Sequence, residues 1–133
     1  MDKMGLAALS VTLLHYLKEE ALVKIPIWRM IATSLEDLTT RAREWSKVIG
    51  HGVAVAESLS TIGGGSLPGE TLTSRVLSLT PRAETADDLA RRLREGDPPI
   101  VGRIDEDRVL LDLRTVLPEE DGLLLQGVSR VLE

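Results

Sequence analysis

Leu6, Leu9, Leu13, Leu14 and Leu17 recur three and four positions apart, the spacing of one helical face, and Ala7 and Ala8 add propensity. A helix is therefore predicted from about Lys3 to Glu19, with Asp2 placed to cap it. Ala21 to Ile27 then runs through Pro26, which ends or redirects the chain, and Trp28 to Ile31 has room for a short helical turn. Ser34, with Asp37 three residues on, opens a second long helix whose period runs through Leu35, Leu38, Ala42, Trp45 and Ile49 to Gly50. The period then changes. Val53 to Ala56 begins a strand directed toward Leu59, and Arg75 to Thr80 alternates as a second strand ended by Pro81.

Thr85 caps a short helix built on Leu89, Ala90 and Leu93 and stopped by Gly96. Ile100 to Ile104 and Arg108 to Leu113 form a hairpin with Asp105, Glu106 and Asp107 at its tip. Pro118 suits the first position of a last helix, where Glu119, Glu120 and Asp121 meet its positive end. Leu123, Leu124 and Val128 are its expected buried face, and Gly122 and Gly127 weaken it by roughly 1 kcal/mol each relative to Ala. This order predicts an α+β fold, a two-layer sandwich in which helices cover one face of a small, mostly antiparallel sheet.

Composition narrows the function. A chain of 133 residues that is 43% apolar folds as a domain with a modest core of Leu, Val, Ile and Ala. Without cysteine there is no disulfide framework, thiol nucleophile or thiolate metal site, and a reducing cytoplasmic setting is compatible. A net charge of −5 excludes a surface that generally coats nucleic acid, although a local arginine can still touch phosphate. Tyr16, Trp28 and Trp45 are the only aromatics, too few for base stacking or a cation cage. Leu6 to Leu17, interrupted by Ser10, Thr12 and His15, is too short to span a bilayer and carries no cleavage pattern, so no membrane role is expected. An apolar helix at a chain start points either to truncation or to docking on a missing partner.

The candidate chemistry is sparse. Thr61 to Glu70 packs four glycines, Pro68 and Ser66 between two strands, and Gly63, Gly64 and Gly65 leave backbone N–H groups uncovered. The stretch is either an anion cradle or a tight structural crossing, with turn chemistry the more economical reading. It is no Walker loop, since no lysine follows the last glycine. His15 and His51 stand 36 positions apart with no motif between them, so both read as structural and no metal site is expected. Asp105 to Asp107 lacks the glycine and distal glutamate of a calcium loop and reads as a solvated tip. Arg114 ends a strand where its planar fork suits a carboxylate or phosphate, against the alternative of an ion pair with Asp112, Glu119 or Glu120. Arg91, Arg92, Arg94 and Arg103 read as surface charge.

Three stretches carry more. Gly63-Gly-Gly-Ser-Leu-Pro-Gly69, Asp97-Pro-Pro-Ile-Val-Gly-Arg103 and Leu110-Leu-Asp-Leu-Arg-Thr-Val-Leu-Pro-Glu-Glu-Asp121 follow one another as they do in bacterial selenocysteine synthase, the L-seryl-tRNA(Sec) selenium transferase, whose C-terminal part this chain resembles. Asp2-Lys3-Met4, Leu6-Ala-Ala-Leu9 and Ile25-Pro-Ile-Trp-Arg-Met30 resemble the segment that leaves the family's large domain.

The resemblance implies the small C-terminal domain of an aspartate-aminotransferase-like enzyme that uses pyridoxal phosphate. Residues 1–33 would be the connecting helix and linker, and residues 34–133 the small domain. In that family a lysine of the large domain holds the cofactor, seryl-tRNA(Sec) loses its hydroxyl, and selenophosphate supplies selenium, within homo-oligomers built from dimers. Lys3 is followed by Met4-Gly5-Leu6 rather than the family's Leu-Leu-Gly-Gly-Pro-Gln-like residues, and Lys18, Lys24 and Lys47 lack the motif as well. The chain is thus expected to be an excised piece starting at a non-native Met1, with no catalytic or cofactor-binding residue and no activity alone. It is expected to touch substrate or an anion at Arg114, Gly64, Gly65 and Ser66, and its first helix leaves self-association open. A stand-alone anion-binding module and a dimerisation module are the alternatives.

Overall fold

The computed structural model describes residues 1–63 and 69–133, and the chain divides into two compact units, Met1–Thr33 and Ser34–Glu133. The first unit holds α1 (Lys3–Leu17), α2 (Ala21–Lys24) and α3 (Pro26–Ala32). Asp2 caps α1, its carboxylate accepting from the Gly5 amide at 2.6 Å. Ser10 and Thr12 donate back to the Leu6 and Ala8 carbonyls at 2.8 and 2.9 Å, so the hydroxyls within α1 are satisfied by the helix itself. No residue of α1 is buried, and Leu6, Leu9, Val11, Leu13, Leu14 and Leu17 are all exposed. At the following turn His15 Nδ1 pairs with Glu20 Oε1 at 2.7 Å, and this hydrogen bond holds the Glu20 carboxyl below its ordinary range. Trp28 Nε1 donates to the Tyr16 hydroxyl at 2.6 Å. Pro26 does not merely break the chain as the sequence suggests. It occupies the first turn of α3, where a missing N–H costs nothing.

The second unit contains α4 (Leu35–Ile49), β1 (Val53–Thr61), β2 (Thr71–Leu79), α5 (Ala86–Glu95), β3 (Arg103–Asp105), β4 (Arg108–Asp112) and α6 (Asp121–Leu132). Ser34 caps α4 by accepting from the Asp37 amide at 3.1 Å. The strands lie in the order β1-β2-β4-β3, each pair antiparallel. The fold is α+β in two layers. Leu77 and Leu79 of β2, with Leu111 and Val109 opposite them on β4, pack on Leu38, Ala42 and Trp45 of α4, Leu89 and Leu93 of α5, and Leu124 and Val128 of α6.

Three sequence expectations shift in register. The second strand begins at Thr71, ahead of Arg75, because β1 pairs with it without interruption from Val53↔Leu79 to Thr61↔Thr71. Ile100 does not start a strand. Its amide donates to the Leu93 carbonyl at 2.9 Å and its side chain joins the core, so pairing with β4 begins only at Arg103. The buried face of α6 runs through Leu124, Gly127 and Val128, while Leu123 is 56% exposed. Gly127 is there for closeness, since a Cβ on it would lie 2.7 Å from Ile100 Cδ1.

The face of the sheet away from the helices carries Ser74, Val76 and Ser78, all buried, and register places Ser58, Asp112 and Arg103 on the same side. The sheet covers this face by curling. Arg103, on the outer strand β3, donates to the Leu59 carbonyl at 3.3 Å and to the Ser58 hydroxyl, both on β1 at the opposite edge.

Arg41 of α4 ties the helix layer to the last third of the chain. Its Nε and Nη2 reach the Asp121 carboxylate at 3.2 and 2.5 Å, and its Nη1 and Nη2 donate to the Leu113 and Val116 carbonyls at 3.3 and 3.0 Å. The guanidinium also lies 5.5 Å from the centre of the Trp45 ring. Replacing Arg41 by Ala is expected to cost about 2 kcal/mol, because a carboxylate and two carbonyls lose their donors. Arg41→Lys should recover less than half of that in urea unfolding, since an ammonium cannot reproduce the fork; full recovery by lysine would contradict the geometry.

Thr85 caps α5, accepting from the Asp88 amide at 3.1 Å while its hydroxyl donates to Asp88 Oδ2 at 2.7 Å. The Thr85 hydrogen bonds hold the Asp88 carboxyl below its ordinary value, so their contribution is complete above that value and is lost as pH falls through the lowered one. Thr85→Val is expected to raise the Asp88 titration midpoint toward the ordinary range, followed by carboxyl carbon-13 shifts; an unmoved midpoint would remove Thr85 as the cause.

Candidate functional site

Asp112 sits at the end of β4 on the curled face, in an otherwise apolar run, and a carboxylate in that position needs donors. It has three. Oδ1 accepts from the Ser74 hydroxyl of β2 at 2.7 Å and from the Arg114 amide at 3.0 Å, and Oδ2 accepts from the Ser60 hydroxyl of β1. The Asp112 carbonyl takes a further bond from the Thr115 hydroxyl at 2.8 Å. One side chain thereby joins three strands and starts the 3₁₀ turn Leu113–Thr115.

Arg114 lies in that turn and is 7% exposed. Its Nη2 donates to the Thr73 carbonyl of β2 at 2.8 Å, so its guanidinium lies against β2 near the loop end of the β1–β2 hairpin. Gly64, Gly65 and Ser66 lie outside the described residues. The flanks of the stretch are described: the Ile62 amide donates to the Glu70 carbonyl at 3.3 Å, and Gly63 and Gly69 adopt positive φ of 65° and 85°. Asp105, Glu106 and Asp107 are exposed, with Glu106 and Asp107 at positive φ, as a tight hairpin tip requires.

Two grooves meet along Val101, Asp112 and Thr115. One, of about 270 Å³, has mainly apolar walls from Pro98, Pro99, Ile100, Leu111, Val116 and Leu124, with Glu120 at its side. The other, of about 300 Å³, opens on the curled face between Ser60, Thr61, Gly102, Arg103 and Leu110. Residues 97–103 and 110–121, two of the stretches on which the resemblance rests, form most of both walls. Lys3, Lys18, Lys24 and Lys47 are exposed and line neither groove. Among the described residues no group of His, Asp and Glu side chains is arranged to hold a metal ion.

Sequence reasoning paired Asp112 with Arg114 alone and missed Ser60, Ser74 and Arg41. A carboxylate within Leu110-Leu-Asp-Leu113 was the available signal for Asp112. Its partners Ser60 and Ser74, 52 and 38 positions away, leave no local pattern.

The unit is a two-layer α+β fold in which most of the residues lining both grooves come from two of the stretches that carry the resemblance. The family model described as L-seryl-tRNA selenium transferase matches residues 1–117, and the chain belongs to that family. Similar proteins named L-seryl-tRNA(Sec) selenium transferase occur in Moorella thermoacetica, 39% identical over 140 residues, and in Carboxydothermus hydrogenoformans, 38% identical over 125. These alignments cover 100% and 90% of this chain but 30% and 27% of the relatives. A third, from Alkaliphilus oremlandii, is 34% identical over 139 residues, covering all of this chain and 30% of the relative. The chain thus spans under a third of the length of the relatives it matches. Among the described residues no helix is long and apolar enough to cross a membrane.

Removing the acceptor at the centre of the knot is the direct test of it. Asp112→Ala is expected to cost about 3 kcal/mol, since two hydroxyls and the Arg114 amide lose their partner, and Asp112→Asn about half as much because its amide oxygen still accepts. Urea midpoints in the order wild type, Asn, Ala, with faster exchange of the Arg114 amide, are the expected result. Equal midpoints would show the knot to be dispensable.

Proposed function

We propose that this chain is the C-terminal portion of a selenium transferase that converts seryl-tRNA(Sec) to selenocysteinyl-tRNA(Sec) with selenophosphate and pyridoxal phosphate, in the cytoplasm and as a homo-oligomer. Residues 1–33 serve as the connecting helix and linker, and residues 34–133 as the small domain of an aspartate-aminotransferase-like fold. The observation that carries this reading is the alignment of nearly the whole chain with under a third of each relative. The α+β architecture and the groove built from the signature stretches support it as well.

Pyridoxal phosphate acts as an electron sink when a lysine amine is held in an enclosed pocket. Four exposed lysines outside both grooves do not fit that attachment, so in this reading the cofactor is held by parts of the enzyme beyond this chain and the chain alone is inactive. Its own residues shape and close the mouth of the site. Arg114, held on the Thr73 carbonyl of β2, together with Gly64, Gly65 and Ser66, contacts the substrate or its anion.

Grafting these residues in place of the matching segment of the Moorella thermoacetica relative tests the reading. The chimera is expected to form selenocysteinyl-tRNA within about tenfold of the parent, a loss of up to about 1.4 kcal/mol, while the isolated chain with pyridoxal phosphate gives neither product nor a borohydride-reducible adduct. A chimera that folds and assembles like the parent yet makes no product would overturn it, as would turnover by the isolated chain.

A further inference from the structure

The two edges of the sheet differ in what they offer. β3 closes one edge with three residues, too short to template another strand, whereas β1 closes the other with nine. Edge strands are usually blunted by bulges, proline or exposed charge, and β1 has little of this. It pairs with β2 without a bulge from Val53 to Thr61, it holds no proline, and its one charged residue, Glu57, is met by Arg75 Nη1 at 2.7 Å.

The register says which backbone groups face outward. The Thr80 amide donates to the Gly52 carbonyl at 2.9 Å and the Ile62 amide to the Glu70 carbonyl at 3.3 Å, so the ladder is flanked by hydrogen-bonded pairs at even positions of the first strand. Ala54, Ala56, Ser58 and Ser60 therefore bond to β2, and Val53, Val55, Glu57, Leu59 and Thr61 turn their N–H and C=O groups to the free edge. The Leu59 carbonyl, which accepts from Arg103 at 3.3 Å, is one of these outward groups and keeps a second lone pair. The same five side chains share the helix side of the sheet, where Val55 is 36% and Leu59 56% exposed.

This edge is self-complementary about a two-fold axis through Glu57. Only in that antiparallel register do all nine residues of two β1 strands find partners. Val55 of one copy then opposes Leu59 of the other, and Val53 opposes Thr61. On the opposite face Ala54, Ala56, Ser58 and Ser60 meet one another and are small enough to pass. The two Glu57 carboxylates face each other, but each brings its own arginine, so the row Arg75, Glu57, Glu57, Arg75 carries no net charge. We infer that β1 is a docking edge for the β1 strand of a second copy of this chain, joining two four-stranded sheets into one. About ten backbone hydrogen bonds form across it, two for each outward pair. A contact of one strand on one strand is smaller than a permanent interface, so the dimer is reversible. It uses neither groove nor the transfer reaction, and its test is independent of the chimera above.

Sedimentation velocity of the 133-residue chain at rising concentration should show a monomer–dimer equilibrium. Amide hydrogen exchange, followed residue by residue, should slow with concentration at Val53, Val55, Glu57, Leu59 and Thr61, while Ala54, Ala56, Ser58 and Ser60, already bonded to β2, change little. Glu57→Lys, on an exposed side chain, should weaken the dimer about tenfold by lining up four positive charges, and Glu57→Thr should preserve it. The double exchange Glu57→Arg with Arg75→Glu keeps the pair within the chain and makes the row alternate in sign against a wild-type partner. Mixed dimers should then exceed the statistical half. A chain that stays monomeric overturns the interface, as does association that leaves the five outward amides exchanging freely, the pattern expected of contact through α1. Indifference of the dimer to both Glu57→Lys and the double exchange overturns it as well.

Discussion

A carboxylate with three donors sets the geometry of this unit. Asp112 draws Ser60, Ser74 and the Arg114 amide onto two oxygens, and these groups come from two other strands and from the turn that follows its own. Antiparallel strands twist of their own accord, but twist alone does not decide how far a four-stranded sheet curls. Here a polar knot on the concave side decides it. The same curl buries β2 on both faces, explaining why Ser74 and Ser78 are as inaccessible as Leu77 and Leu79.

The stretch from Leu110 to Asp121 is anchored twice. Its first part is fixed by Asp112 to the sheet, and its end by Asp121 to the Arg41 fork of α4, which also holds the Leu113 and Val116 carbonyls. Between the anchors lie the residues that wall the grooves. A loop-like segment held at both ends by charged, partly buried hydrogen bonds keeps its shape at modest entropic cost.

Much of the fold was legible because its signals are local. Asp2, Ser34 and Thr85 cap the helices their spacing announces, and the alternation of β1 and β4 places those strands. The errors arise where tertiary pairing overrides local pattern. Thr71 to Ser74 shows little alternation of its own and is strand because β1 continues beside it. Leu123 and Leu124 are chemically alike, and only the close approach at Gly127 chooses between them. For the site, the arginine fork at 114 and the signature stretches were readable, whereas Arg41 and Asp121, 80 positions apart, become partners only after folding.

Gly127 has a consequence that reaches beyond its own helix. It touches the back of Ile100, and Ile100 with Pro98 and Pro99 is one wall of the apolar groove. The width of that groove is therefore gauged from behind, by a hydrogen atom where any other residue would put a methyl. A thickening of α6 at this point would push the wall outward without changing a single residue that a ligand could touch.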